Sequence, residues 1–257
     1  MLTFVGLGLY DERSVTLAGR DAIRAADRVF MEQYTSRLAG ATVADLEAFH
    51  GVDIEVRDRD GVEGEPDPVI DAAAAGHAAF LVPGDPLVAT THVDLRLRAH
   101  DRGLATRVVH GTSAQTAACG LTGLQNYRFG PATTLPFPGS RGSDVPASVL
   151  DMIGENRDRG LHTLVYLDIE AAEGRYLTAD AAASVLAAHI GDALGVAVAR
   201  AGSEDPTVVA DRLSALAERD FGEPLHLLVL PGALHELEAD ALRAFADAPA
   251  GVLAERD

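Results

Sequence analysis

Lysine is missing altogether: the 21 basic residues are all arginine, set against 39 acidic residues for a formal charge of −18. That balance argues against nonspecific nucleic-acid binding, which depends on neutralising phosphates with cationic side chains. A carboxylate-rich, lysine-free surface instead fits a protein kept in solution at high salt, where charges are screened at short range. The expectation is therefore a halophilic protein. Tryptophan is also absent, so the core must come from Val, Leu, Ile and Ala. With 47% hydrophobic residues in 257, that supply suffices for one large domain or two ordinary ones. The single cysteine, Cys119, excludes an intrachain disulfide and cannot alone make a metal site. Its setting, Ala117-Ala118-Cys119, reads as buried packing rather than a reactive thiol. No stretch approaches the roughly 20 apolar residues needed to span a bilayer. The opening Met1–Gly6 carries neither a basic region nor a cleavage signal and reads as a buried strand. A cytoplasmic location is expected.

What is present is an alternation of strand and helix. Apolar strand candidates are Leu2–Val5, Arg28–Met31, Asp53–Val56, His77–Val82 and Ala105–Val109. Helical candidates lie between and after them: Val15–Ala26, Val43–Phe49, Val69–Gly76 and Leu87–His100. In the first of these, Val15, Ala18, Ala22, Ile23 and Ala26 recur at helical spacing and predict a buried face. Such alternation predicts a largely parallel sheet covered by helices. Sheets of this kind take ligands beyond the carboxyl ends of their strands.

Three glycine turns fall at predicted strand ends. The first is Gly6-Leu7-Gly8-Leu9-Tyr10-Asp11. The third glycine of a dinucleotide-binding G-x-G-x-x-G would fall on Asp11, a carboxylate where pyrophosphate should meet a helix start. A nicotinamide dehydrogenase is thereby disfavoured, while a ligand turn without pyrophosphate, or a plain tight turn, survives. The second is Pro83-Gly84-Asp85-Pro86-Leu87-Val88, a rigid turn in which Asp85 reads either as the cap of helix Leu87–His100 or as a ligand-facing group. His92 reads as a surface or capping residue. The third is His110-Gly111-Thr112-Ser113-Ala114, with Thr112 or Ser113 as the cap of a helix running to Gly120.

Beyond it, the Gly- and Pro-rich stretch 123–143 marks a junction, and a second α/β layer follows. Strands are predicted at Ala132–Phe137, Leu161–Ile169, Val196–Ala201 and Leu225–Leu230, with helices at Val145–Arg159, Ala179–Ile190, Pro206–Ala217 and Glu236–Ala248. Thr178 and Asp205-Pro206 serve as helix-start signals. Asp168 and Arg200 read as a possible structural ion pair, and His226 as a hydrogen-bonded core histidine. No His-Glu-x-x-His, cysteine cluster or paired-Asp motif suggests a metal, and no Gly-x-Ser-x-Gly elbow suggests a hydrolase.

Together with Ala26-Asp27 before the second strand, these segments resemble the tetrapyrrole-methylase superfamily of S-adenosylmethionine enzymes. Tyr10-Asp11-Glu12-Arg13, Glu32-Gln33-Tyr34-Thr35-Ser36, Ala89-Thr90-Thr91-His92, Gly120–Leu124, Arg159–Leu164, Ala199–Ser203 and Asp220–His226 carry the resemblance through the whole chain in order. Two departures are Thr112, where the pattern has proline, and Gln33, where it has an aromatic or apolar residue. The resemblance implies a two-domain α/β fold, residues 1–115 and 116–257, each a mainly parallel or mixed sheet covered by helices, with the cofactor in the cleft between them. It implies S-adenosylmethionine contacts from Leu9, Asp85, Val88, Ser113, Ala114, Leu167, Ala201 and His226, many through backbone groups. The branch it points to methylates, to the trimethyl level in archaeal members, the amino group of a 3-amino-3-carboxypropyl-histidine on translation elongation factor 2. A homodimer is implied as well. No general base is named; Tyr34 is a candidate for holding the cationic product. Alternatives are a sibling acting on a tetrapyrrole or ribosomal RNA, and a non-catalytic nucleoside-binding module.

Overall fold

The computed structural model describes residues 1–140 and 142–254. Arg141 of the expected junction and residues 255–257 of the expected second domain lie outside that range. The chain divides into two compact units, one of Met1–Ser113 with Ala171–Glu173, the other of Ala114–Glu170 with Gly174 onward.

In the first unit the strands are β1 (Leu2–Gly6), β2 (Arg28–Glu32), β3 (Ile54–Arg57), β4 (Ala78–Val82) and β5 (Thr106–Val109). They form one all-parallel sheet in the order β3-β2-β4-β1-β5. Helices α1 (Leu17–Arg24), α2 (Val43–His50), α3 (Asp67–Ala75) and α4 (Val93–Asp101) connect them, with a π-helical turn at Asp60–Gly64. The central strands β1 and β4 are buried along their whole length, as runs such as Ala78-Ala79-Phe80-Leu81-Val82 require of a sheet covered on both faces. One face packs Phe4, Phe30, Phe80, Val69, Ile70 and Leu95; the other packs Val5, Ile23, Met31, Leu46 and Leu81.

Two expectations change here. The buried face of α1 runs through Gly19, Ala22 and Ile23, while Ala18 is exposed. A Cβ on Gly19 would sit 3.0 Å from Val5 Cγ1, so glycine is what lets α1 lie close on β1. Helix α4 starts at Val93, not Leu87: residues 86–91 form turns, and Ala89 adopts a left-handed φ of 56° that no α-helix continues through.

The second unit runs α5 (Ala114–Thr122), β6 (Thr133–Leu135), α6 (Ala147–Asp158), β7 (Thr163–Leu167), β8 (Ile169–Glu170), β9 (Arg175–Tyr176), α7 (Ala179–Ile190), β10 (Leu194–Ala199), β11 (Thr207–Arg212), α8 (Leu213–Leu216), β12 (His226–Leu230), α9 (Glu236–Phe245) and α10 (Ala250–Ala254). Its mixed sheet has the order β11-β10-β12-β7-β6, and only the β6–β7 pair is parallel. The first half of the expected helix Pro206–Ala217 is β11, and only Leu213–Leu216 of it is helical, as α8. Thr207-Val208-Val209 is a β-branched run, and Asp205-Pro206 ends a turn before a strand rather than starting a helix. Asp168 and Arg200 do not pair. The Arg200 guanidinium instead donates to the carbonyls of Phe221 and Glu223 and to Thr207 Oγ1, and Asp168 accepts from the backbone N–H groups of Phe137 and Ile169. Cys119 is buried, and burial pushes its thiol pKa up, away from a reactive thiolate.

Candidate functional site

The three glycine turns of the first unit follow β1, β4 and β5, which lie side by side as β4-β1-β5. Their backbones touch. Leu7 N–H donates to Val82 O at 2.9 Å, and Gly8 and Gly84 exchange hydrogen bonds as an isolated antiparallel bridge, at 3.2 and 2.6 Å. A Cβ on Gly6 would stand 2.5 Å from Gly111 N and 2.6 Å from Gly84 O. Gly6 and Gly111 are therefore glycine because the three loops pack main chain against main chain. On the remaining side of Gly84, whose φ is +78°, a Cβ would meet only Leu9 Cδ2 and Thr112 O, both at 4.0 Å. Where the three loops converge, the Gly84 position is thus flanked by an apolar side chain and a backbone carbonyl at ordinary van der Waals distance. That lining suits a neutral nucleoside or thioether better than a phosphate.

Asp85 stands beside this junction and is 6% exposed. Its Oδ1 accepts from Leu87 N–H at 3.0 Å, and its Oδ2 lies 2.7 Å from His110 Nδ1. It therefore closes its own turn and ties the β4 loop to the β5 loop; it caps no helix. Of the other expected residues in this unit, Leu9 flanks Gly84, Val88 is partly exposed on the Asp85 loop at the turn before Ala89, and Ser113 is buried at the end of the β5 loop.

The Asp85 loop is anchored from below by Thr90 and His92, and His92 in turn meets Tyr34. Pro86 O accepts from Thr90 Oγ1 at 2.8 Å and from His92 Nδ1 at 3.2 Å. His92 is buried, not a surface or capping residue. With Nδ1 donating, its Nε2 accepts from the Tyr34 hydroxyl at 3.3 Å. Glu32, fully buried at the end of β2, accepts from the N–H groups of Tyr34 and Thr35 and from Thr35 Oγ1. Burial raises the Glu32 carboxyl pKa against the lowering effect of these bonds, and burial lowers that of His92. One face of the Tyr34 ring is taken by Arg59, whose guanidinium carbon lies 4.9 Å from the centroid.

In the second unit the expected residues also gather, at one end of its sheet. β7 ends at Leu167, β12 begins at His226, and β10 ends at Ala199, which pairs with His226 two positions before Ala201. Ala114 begins α5. His226 is a core histidine with both nitrogens engaged: Nδ1 accepts from Ala179 N–H at 3.2 Å and Nε2 donates to Glu223 O at 3.1 Å. Burial holds its pKa below the usual imidazole value. Arg200, immediately before Ala201, has a left-handed φ of 52° and is held there by its three guanidinium bonds. Together with Ala89 it places a non-glycine left-handed residue next to an expected contact in each unit.

His110, the side-chain partner of Asp85, has no role assigned from the sequence. Its segment was visible as strand, glycine, hydroxyls, helix, but nothing in that pattern reveals that Asp85, 25 residues away, meets its ring.

Comparison with known proteins gives a consistent picture. A family model described as Tetrapyrrole (Corrin/Porphyrin) Methylases matches residues 1–217. The diphthine synthase of Halobacterium salinarum is 65% identical over 260 residues, covering 98% of this chain and 100% of that one. The diphthine synthase of Natronomonas pharaonis is 63% identical over 263 residues, with 98% of each chain covered. A crystal structure of diphthine synthase matches with a TM-score of 0.90 at 40% identity over 98% of both chains.

Proposed function

The chain belongs to the tetrapyrrole (corrin/porphyrin) methylase family, and on that premise we propose that it carries out the diphthine synthase reaction of diphthamide biosynthesis. It moves methyl groups from S-adenosylmethionine to the amino group of the 3-amino-3-carboxypropyl-histidine of translation elongation factor 2, to the trimethyl level. The observation that carries this reading is the main-chain convergence of three glycine loops at Gly6, Gly84 and Gly111. The relatives' names and their near-complete coverage support the substrate.

S-adenosylmethionine supplies an electrophilic methyl group on a sulfonium. The chain's part is to bind and orient. Leu9 offers an apolar wall beside Gly84, and Thr112 O offers a hydrogen-bond acceptor. Val88 and Ser113 are proposed as further cofactor contacts in the first unit, and Ala114, Leu167, Ala201 and His226 are proposed cofactor contacts of the second. Asp85 is proposed as a cofactor contact as well, and it also fixes the loops through Leu87 and His110. Because the displacement is in line, holding nitrogen, methyl and sulfur in register supplies much of the rate.

Among the described residues no helix is long and apolar enough to cross a membrane; a cytoplasmic location and a homodimer belong to this same proposal. The test is direct. The full chain is incubated with methyl-labelled S-adenosylmethionine and elongation factor 2 carrying the carboxypropyl-histidine, and the factor is read by mass spectrometry. Mass gain at the modified histidine supports the reading. Label on a corrin or on RNA, with none on the factor, assigns the chain to a sibling activity. Cofactor binding without transfer to any acceptor leaves a nucleoside-binding module.

A further inference from the structure

An ammonium nitrogen has no electron pair with which to attack a methyl group, so something must take its proton. An α-amino group titrates near 7.7–8, so at neutral pH most of the acceptor arrives protonated. Each of the first two transfers also leaves a proton on nitrogen that must depart before the next can start. The chemistry thus asks for a proton acceptor used repeatedly at one place.

The first unit contains one imidazole arranged for this. His110 Nδ1 lies 2.7 Å from Oδ2 of Asp85, a carboxylate that is itself buried and held on its other oxygen by Leu87 N–H. Carboxylate oxygens only accept, so Nδ1 carries the hydrogen, and in the neutral ring the electron pair sits on Nε2. The side chain of His110 is 74% exposed while Asp85 is 6% exposed, so the ring is fixed at its buried edge and open at the other. Its backbone lies just after β5, one residue before Gly111, which packs on Gly6 and Gly84 at the loop junction. The other histidine near this junction, His92, is buried with both nitrogens occupied.

We propose that His110, oriented by Asp85, is the proton acceptor of the methyl-transfer reaction. An N–H bond of the acceptor ammonium breaks, its electrons stay on nitrogen, and the proton bonds to His110 Nε2. Nitrogen then forms the N–C bond while the C–S bond breaks and its electron pair remains on sulfur. The imidazolium releases its proton to water through its exposed edge, and the ring is ready for the next round. This inference rests on the proposed methyl transfer; the geometry assigns the role to a residue that the glycine motifs do not name.

The experiment compares the full-length wild type with His110→Ala and His110→Asn. The asparagine amide can still donate to Asp85 and hold the two loops together, but it cannot take a proton. Three quantities are read: turnover on elongation factor 2, product methylation by mass spectrometry, and S-adenosylmethionine affinity by calorimetry without acceptor. Both variants should lose about tenfold to a hundredfold in kcat, the lower part of the range for general bases because some amine is free at neutral pH. Cofactor affinity should stay within about twofold, partly methylated factor should accumulate, and added imidazole should restore turnover to His110→Ala. Full kcat in His110→Asn overturns the proposal and leaves His110 as a loop tie. Lost turnover that follows weakened cofactor affinity and is not rescued by imidazole does the same. A wild type that binds cofactor but methylates nothing overturns the proposed function, and this inference with it.

Discussion

At the scale of single residues, the site is made by what glycine omits. Gly6 and Gly111 sit where a methyl group would run into the backbone of the neighbouring loop, and Gly84 where it would run into nothing within 4 Å except its two borders at that distance. Gly6→Ala and Gly111→Ala should each destabilise the protein by about 1–3 kcal/mol or more, since main chain cannot give way as a side-chain tip can. Gly120→Ala is the control. It lies exposed in α5 with open space around it and should be neutral or stabilising by up to about 1 kcal/mol. Urea midpoints of the three variants decide the matter, and equal midpoints would remove backbone packing as the reason for the glycines. The glycine turns themselves were legible in the sequence, because glycine at a strand end is a local signal. The pairing of Asp85 with His110 and the anchoring of Pro86 by His92 were not, because each joins residues brought together only by the strand order.

At the scale of elements, the parallel first sheet followed from apolar strand runs alternating with helical ones, and its five strands lie within a residue or so of their expected ends. The two errors share a cause. Pro after Asp suggested a helix start at both Asp85-Pro86 and Asp205-Pro206, yet a turn precedes α4 in one case and β11 follows in the other. An Asp-Pro pair favours a turn, and what comes after depends on tertiary partners: here, antiparallel pairing of Thr207–Arg212 with β10. A comparable long-range device fixes α9. Fully buried Glu238 accepts from Gln125 N–H at 2.9 Å, His162 Nε2 at 3.0 Å and His235 N–H at 2.8 Å, so one carboxylate joins the start of α9 to two other segments of its unit. Burial by itself would raise its pKa; the bonds from these donors outweigh it and the net shift is downward. Glu238→Ala would strand the buried His162 N–H and two part-buried backbone donors at a cost of about 3 kcal/mol, whereas Glu238→Gln, which keeps one acceptor oxygen, should lose less. Chemical denaturation of both variants tests the order; an alanine variant as stable as wild type would mean that water replaces the carboxylate without penalty.

At the scale of the whole molecule, two electrostatic effects act in opposite directions as pH falls, and salt separates them. His50, His92, His162 and His226 are all held below the usual imidazole pKa of 6.5, with burial the leading cause in each. A histidine with a depressed native pKa binds fewer protons folded than unfolded, so its contribution is complete above 6.5 and is lost as pH falls from there through its native value. Acidification alone should therefore destabilise the fold. The second effect is self-repulsion: with a formal charge of −18 and a sequence pI near 4.7, lowering pH toward 5 removes net negative charge and relieves it. Salt screens exposed charges strongly and buried groups little, the Debye length shrinking from about 10 Å at 0.1 M to about 3 Å at 1 M. Repulsion should thus dominate in dilute buffer, and the histidine effect should survive in molar salt. The expected outcome is a melting temperature at pH 7 that rises steeply with KCl, consistent with relatives from halophilic archaea. The drop in melting temperature between pH 7 and 5 should be larger in 2 M KCl than in dilute buffer. A melting temperature indifferent to salt would show that the carboxylate excess is too dispersed to strain the fold. An acid drop that shrinks in salt would mean that exposed carboxylates, rather than the four buried imidazoles, govern the acid limb. His162→Gln offers an internal check. It keeps an amide donor for Glu238 and cannot become charged in this range, so it should flatten the high-salt acid limb while leaving the salt dependence at pH 7 unchanged.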